Sequence, residues 1–258
     1  MRILFISDIF GKPGRSALME KLPGLAAEMK ADIVIANGEN TASGAGITSK
    51  IAGKLLEGGV DVITTGNHVW RQRDIVEFLA RSDRVLRPAN YLDANPGRGW
   101  TVVEAGGHAV AVINLSGSLY LDVPRSAFQV IDPVLRELPD DVKHIIVDFH
   151  GEATSEKIAM GYYLDGRVTA VIGTHTHVQT ADEKILPGGT AYITDGGMTG
   201  PRDSVIGVKK EIIIKRFLTE MPVRFEVAEE DVWIEGVFIE SDSDGRATAI
   251  TRLQEPGA

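Results

Sequence analysis

Short β-branched runs alternate with amphipathic stretches of helical length from the first residues of this chain, and that alternation limits the fold more than any other feature. "RILFIS" (2–7) leads into "RSALMEKL", "ADIVIAN" (31–37) into "TSKIAGKLLEGG", and "VDVITTG" (60–66) into "RQRDIVEFLARS". These read as three consecutive βα units, which place helices across a largely parallel sheet. The rhythm changes at "WTVVEAGGHAVAVINLSG" (100–117), a hairpin about Gly106 and Gly107, so the sheet system becomes mixed or divides in two. "VKHIIVDFHG" and "RVTAVIGTHTH" resume the buried-strand pattern on either side of a helical "SEKIAMGYYL". The closing "VRFEVAEEDVWIEGVFIESDSDGRATAITRL" alternates with period two about a "DSDG" turn, as antiparallel strands do. No repeat, low-complexity tract or Pro/Gly/Ser-rich linker interrupts residues 1–258, which read as one α/β domain.

The absence of cysteine excludes disulfides, zinc ribbons and thiolate chemistry, leaving His, Asp, Glu, Asn and Gln as metal ligands. The net charge of −9 argues against stable nucleic-acid binding, which needs a basic surface. "MRILFISD" is too brief for a signal-peptide core, and no later apolar run approaches a membrane span. The expectation is a cytoplasmic protein with no membrane partner, and any phosphate it handles must meet a local source of positive charge.

Polar residues recur where the strands end. Asp8 follows "RILFIS"; Glu39 and Asn40 follow "ADIVIANG"; Asn67 and His68 follow "VDVITTG"; His150 ends "IIVDF"; His175 and His177 end "VTAVIGT". Taken singly, Asp8 reads equally as a helix-capping acid, Asn40 and Asn67 as turn residues, and the histidines as hydrogen-bonded sheet-end residues. In open α/β sheets, however, ligands bind outside the carboxyl ends of the strands, and five strands deliver donors to that one edge. Two carboxylates, two carboxamides and up to four imidazoles exceed the needs of a single ion, and nitrogen and oxygen donors without sulfur suit Mn, Fe or Zn. Two cations would leave the site positive despite Asp8 and Glu39, and so able to attract phosphate. On a straight strand, His175 and His177 would share one face about 7 Å apart, a spacing that fits two neighbouring ions better than one.

Read in order, "SDIFG", "GEN", "GNH", "FHGE" and "GTHTH" resemble the five signature blocks of the calcineurin-like metallophosphoesterases. Phe10 stands where the first block usually carries a metal-binding His, and Glu39 where the bridging Asp is expected. With "GMTGP" (197–201), these departures resemble the YmdB-like branch, described as phosphodiesterases of cyclic nucleotides. The resemblance implies a four-layer α/β/β/α sandwich with two mixed sheets. It also implies two divalent or trivalent ions, Fe and/or Mn with Zn as an alternative. The first would be held by Asp8, Glu39, Asn40 and His177, the second by Glu39, Asn67, His150 and His175, with Asn40 replacing the missing His and His68 off the metals as proton donor. The expected activity is hydrolysis of a small-molecule phosphodiester, such as 2',3'-cyclic AMP, by metal-activated hydroxide. Rival readings are a phosphomonoesterase (nucleotidase or protein phosphatase) and a regulatory or scaffold protein retaining the fold.

Other features carry less. His108 and His144 read as structural or solvent-facing, and "EVAEED" as a solvated face. "SGSLYLDVPRS" (116–126) reads as a lid, a substrate wall, an oligomer contact or a plain surface loop. "DGGMTGPRDS" (195–204) offers close-approach glycines, with Arg202 as a phosphate partner, or is a tight-turn loop. Formation of a homo-oligomer is left open.

Overall fold

The computed structural model describes residues 1–257. The first part of the chain comprises β1 (Arg2–Ile6), α1 (Gly11–Met29), β2 (Ile33–Asn37), α2 (Ser49–Glu57), β3 (Val62–Thr64), α3 (Ile75–Arg81), β4 (Trp100–Ala105) and β5 (His108–Ser116). There follow α4 (Ala127–Glu137), β6 (His144–His150), α5 (Thr154–Tyr163), β7 (Ala170–Thr174), β8 (Lys184–Ile185) and β9 (Ala191–Ile193). The last elements are β10 (Gly200–Pro201), α6 (Lys210–Thr219), β11 (Val232–Ser241) and β12 (Ala247–Pro256).

The strands divide into two mixed sheets. In the first, β1, β2 and β3 run parallel, β11 pairs antiparallel with β1, and β10 and β12 complete it against β11. The second has the order β4-β5-β6-β7-β9-β8, with β5, β6, β7 and β9 parallel. The β4–β5 hairpin turns at Gly106 (φ 56°) and Gly107 (φ 79°), the two left-handed positions that a type I′ turn requires.

Strand periodicity explains the layers. Along β1, Leu4 and Ile6 face α1 and α2, while Ile3 and Phe5 join Ile33, Ile35, Val62, Ile146 and Ile172 between the two sheets. Val147, Phe149 and Val171 face the other way, toward α4 and α5. The result is helices, sheet, sheet, helices, with an apolar seam in the middle. The inward-facing series then turn polar at their carboxyl ends: Ile33, Ile35, Asn37; Val62, Thr64; Ile146, Asp148, His150; Ala170, Ile172, Thr174.

These polar ends stitch the sheets together. The Asp148 carboxylate accepts from Asn37 Nδ2 at 2.9 Å, from the Thr64 hydroxyl at 2.5 Å and from the Thr174 hydroxyl at 2.7 Å, joining β2 and β3 of one sheet to β6 and β7 of the other. Asn114 Oδ1, near the end of β5, accepts from the Thr65 amide at 3.0 Å. The carboxyl ends of both sheets are thereby fixed to one another.

Two sequence expectations change. "VRFEVAEED" is not strand: residues 222–231 form no ladder and are held by the bridge Val208–Val227 and by isolated backbone hydrogen bonds at Glu226, Ala228 and Asp231, because Pro222 lacks an N–H and the segment is charged and mostly exposed. Helices α4 and α6 add to the expected set; α4 carries Pro133 inside it, and α6 buries only Ile213. No described helix is long and apolar enough to cross a membrane.

Candidate metal centre

Each expected donor lies at the shared carboxyl edge of the two sheets, and Glu39 stands between two groups of them. In one group, His150 Nε2 lies 3.1 Å from Glu39 Oε1, 3.0 Å from Asn67 Oδ1 and 3.0 Å from His175 Nδ1. One ring nitrogen cannot satisfy three such neighbours, so these atoms converge on a common point. Ligand atoms of Glu39, His150 and His175 all lie within 4.8 Å of one another, a spacing able to hold a metal ion. In the other group, His177 Nε2 lies 3.8 Å from Asp8 Oδ1 and 2.9 Å from Asn40 Nδ2, which also donates to Glu39 Oε1 at 3.1 Å.

The far nitrogen of each clustered imidazole is anchored. His150 Nδ1–H donates to the Thr174 hydroxyl at 2.9 Å, whose own proton goes to Asp148. His175 Nε2 lies 3.0 Å from Glu152 Oε2, and His177 Nδ1–H donates to the Ile206 carbonyl at 3.1 Å. Each ring thus turns its other nitrogen into the cluster, the orientation in which histidines bind metals. Asp8 is fully buried; its Oδ2 accepts the His175 amide at 3.0 Å, but Oδ1 has no hydrogen-bond partner among the described residues. A buried carboxylate oxygen left unpaired is costly unless a cation meets it.

The electrostatics agree. Burial pushes the Asp8 carboxyl well above its ordinary range, opposed by His150. Burial also raises Glu39, but His150 and His68 outweigh it and hold that carboxyl well below its usual range. For His150, burial disfavours the charged ring, yet Glu39, Asp8 and Asp148 lift it to about 9. His175 is driven down to about 3 by burial and by His150, and burial lowers His177 as well, keeping both in the neutral form that ligates. The acids therefore call for positive charge where His150 Nε2 points, and a divalent ion can supply it in place of a proton.

His68 stands slightly apart, with 27% of its side chain exposed. Its amide donates to Glu39 Oε2 at 3.2 Å and its Nδ1 lies 2.9 Å from Asn40 Oδ1, leaving Nε2 open. Asn40 therefore presents oxygen to His68 and nitrogen to His177, so ligating an ion beside His177 requires its carboxamide to turn over. Phe10 forms an apolar wall here, meeting the His177 ring edge-on at 5.5 Å between centroids.

The straight-strand account of His175 and His177 does not hold. β7 ends at Thr174, and both histidines have left-handed backbones, φ 99° and φ 63°. Such conformations cost on the order of 1–3 kcal/mol each and persist only where their surroundings impose them. Here Asp195 does so: its carboxylate takes the Thr176 amide at 3.1 Å and the Thr176 hydroxyl at 2.7 Å, and pairs with buried Lys157 at 2.6 Å. Asp148, Glu152, Lys157 and Asp195 escape the sequence pattern because each acts through another residue. Only the acid in "FHGE" and the Asp in "YITDGG" hint at them. Asp195→Asn should reduce metal affinity by roughly 10–100-fold and, by leaving Lys157 uncompensated, lower stability by about 3 kcal/mol. Metal titration and urea denaturation check both; wild-type metal affinity would free the loop from this clamp.

His144 is buried and bonded to Ser241 Oγ at 3.1 Å, with His108 edge-on against it, so both lie outside the centre. In the 116–126 loop, Glu156 accepts the Ser118 and Leu119 amides, while Tyr120 is 88% exposed.

The profile of the YmdB-like protein family matches residues 4–253. A Bacillus subtilis (strain 168) protein named 2',3'-cyclic-nucleotide 2'-phosphodiesterase is 49% identical over 254 residues, covering 98% of this chain and 96% of that protein. The crystal structure of a hypothetical protein from Thermus thermophilus superposes with TM-score 0.93 at 39% identity, covering all of both chains. That of a novel phosphatase from Mycoplasma pneumoniae gives 0.92 at 36%, over 100% of this chain and 94% of that one. A 5'-nucleotidase precursor, also from Thermus thermophilus, 12% identical with TM-score 0.59 over 54% of its length, shares the fold alone. With a family profile spanning nearly its whole length and relatives matched end to end, this chain belongs to the YmdB-like family of phosphoric ester hydrolases.

Proposed function

We propose that this chain hydrolyses 2',3'-cyclic nucleotides at two metal ions, manganese or iron, with zinc as the alternative. The observation that carries the reading is the donor set itself: three imidazoles anchored at their far nitrogens, two of them beside the buried Glu39 carboxylate and the third facing a buried Asp8 oxygen that has no hydrogen-bond partner among the described residues. Asp8, Glu39, Asn40 and His177 would hold one ion, and Glu39, Asn67, His150 and His175 the other. When bound, the ions supply the Lewis acidity that makes hydroxide available near neutral pH and offsets charge on the phosphoryl oxygens. The chain's own work is positional. Asp148, Thr174, Glu152 and the Ile206 carbonyl fix the rings, and the Glu39 carboxylate fixes the His68 amide. His68, with Nδ1 held by Asn40, directs Nε2 outward to give a proton to the departing ribose oxygen. The substrate class follows the name of the Bacillus subtilis relative.

The test is a panel of 2',3'-cyclic AMP, 3',5'-cyclic AMP, AMP and a phosphopeptide, assayed with protein loaded with Mn or Fe and with chelated protein. The expected result is conversion of 2',3'-cyclic AMP to 3'-AMP, lost on chelation. Preference for AMP would establish a phosphomonoesterase instead, and protein that retains no metal and turns over nothing in added Mn would establish the scaffold reading.

A further inference from the structure

Beside the metal centre, and sharing His177 with it, opens a cleft of about 490 Å³, within the roughly 300–1,000 Å³ typical of small-ligand sites. Arg202 is built into it in an unusual way. Its guanidinium lies over the Trp233 ring at 3.8 Å to the centroid and is tied to Glu235 Oε1 at 2.6 Å. Glu235 is itself held in place, being buried and accepting the Met198 amide on its other oxygen at 3.0 Å. The arginine is thus a flat plate, held from below by an indole and at its edge by a carboxylate, with 38% of its side chain still exposed.

That arrangement suits a planar ring better than a phosphate. The charge an anion would seek is already met by Glu235, whereas an Arg plane stacks well on flat π-systems. The remaining walls are largely apolar: Met198 and Ile206 line the same cleft, and the Ile206 carbonyl anchors His177. The wall that positions a metal-cluster histidine and the plate therefore belong to one cavity. A 2',3'-cyclic nucleotide with its phosphate at the centre carries its base one ribose away, and the adjoining cleft is where such a base can lie.

Resting on the phosphodiesterase reading above, we propose that this cleft is the nucleobase site, with the base stacked on the Arg202 face that Trp233 leaves uncovered and with Glu235 as the residue that positions the plate. Arg202 is then a specificity residue and takes no part in phosphate binding, in contrast to the sequence expectation.

Adenosine, which has a base but no phosphate, is the probe. Titrated into the full chain, it should quench tryptophan fluorescence saturably, and Trp233→Phe should remove most of that signal. Arg202→Lys keeps Glu235 paired while removing the plane; it should weaken adenosine binding about tenfold and raise KM for 2',3'-cyclic AMP by a similar factor, with an unchanged melting temperature showing that it folds. Wild-type adenosine affinity in Arg202→Lys would overturn the proposal. So would the absence of saturable adenosine binding by wild-type protein that hydrolyses 2',3'-cyclic AMP, and in both cases the phosphodiesterase reading survives. Arg202-dependent adenosine binding by protein that hydrolyses no phosphodiester would overturn that reading, and with it the assignment of the cleft as a substrate site.

Discussion

Glu39→Gln should leave the protein unable to retain its metal and should lower hydrolysis of 2',3'-cyclic AMP by about 10³-fold, the equivalent of several kcal/mol of lost charge stabilisation. Glu39 is fully buried, and its carboxylate meets side-chain nitrogens of both donor groups, His150 Nε2 and Asn40 Nδ2. It is also held far more acidic than an ordinary glutamate, chiefly because His150 and His68 overcome the cost of burying its charge. Glutamine preserves shape and removes only the charge. Shape matters because the backbone is packed onto this carboxylate: a Cβ at Gly66 would collide with both Glu39 Oε2 and the His150 ring. Metal per chain and turnover are measured together. Wild-type metal content with activity within about tenfold of wild type would remove Glu39 from its place between the two ions.

His68→Ala should behave differently, keeping its metal while losing about 10²–10⁴ in kcat, the usual contribution of a general acid. The side chain is partly exposed, its Nδ1 is occupied by Asn40, and its Nε2 is free of protein partners among the described residues. Burial lowers its pKa below the ordinary imidazole value, and Glu39 only partly opposes that, so the charged ring gives up its proton readily. A diester with a p-nitrophenolate leaving group needs no proton on departure, so the variant should lose much less activity on that substrate than on 2',3'-cyclic AMP. Equal losses on the two substrates would contradict the acid role, and loss of metal would make His68 part of the metal centre instead.

Much of this molecule is written locally. The alternation of "RILFIS", "ADIVIAN" and "VDVITTG" with amphipathic segments specifies parallel strands under helices, because each strand and helix must bury its own apolar face. Gly106–Gly107 specifies the hairpin. Even the membership of the polar edge is legible, since the residues that end a buried parallel strand must emerge at its carboxyl side. α4 and α6 are illegible for a local reason as well: Pro133 breaks the helical pattern of the first, and the second buries so little that its periodicity is faint.

Distances across the molecule are a different matter, because they depend on how two sheets meet. The sequence by itself determined that Asp8, Glu39, Asn40, Asn67, His68, His150, His175 and His177 lie at strand ends. Only the tertiary structure decided that the ends of the two sheets coincide, through the buried Asp148 carboxylate binding Asn37 and Thr64 across the seam. It also decided the conformation of "THTH", which a straight strand misrepresents: Asp195, well beyond His177 in the chain, grips Thr176 and imposes left-handed backbones on both neighbouring histidines. It turned Arg202 from a free cation into a stacked, neutralised plate by bringing Trp233 and Glu235 beneath it. Period and propensity act over a few residues, whereas these arrangements arise from hydrogen bonds and ion pairs between residues 19 to 111 positions apart, which no local pattern encodes.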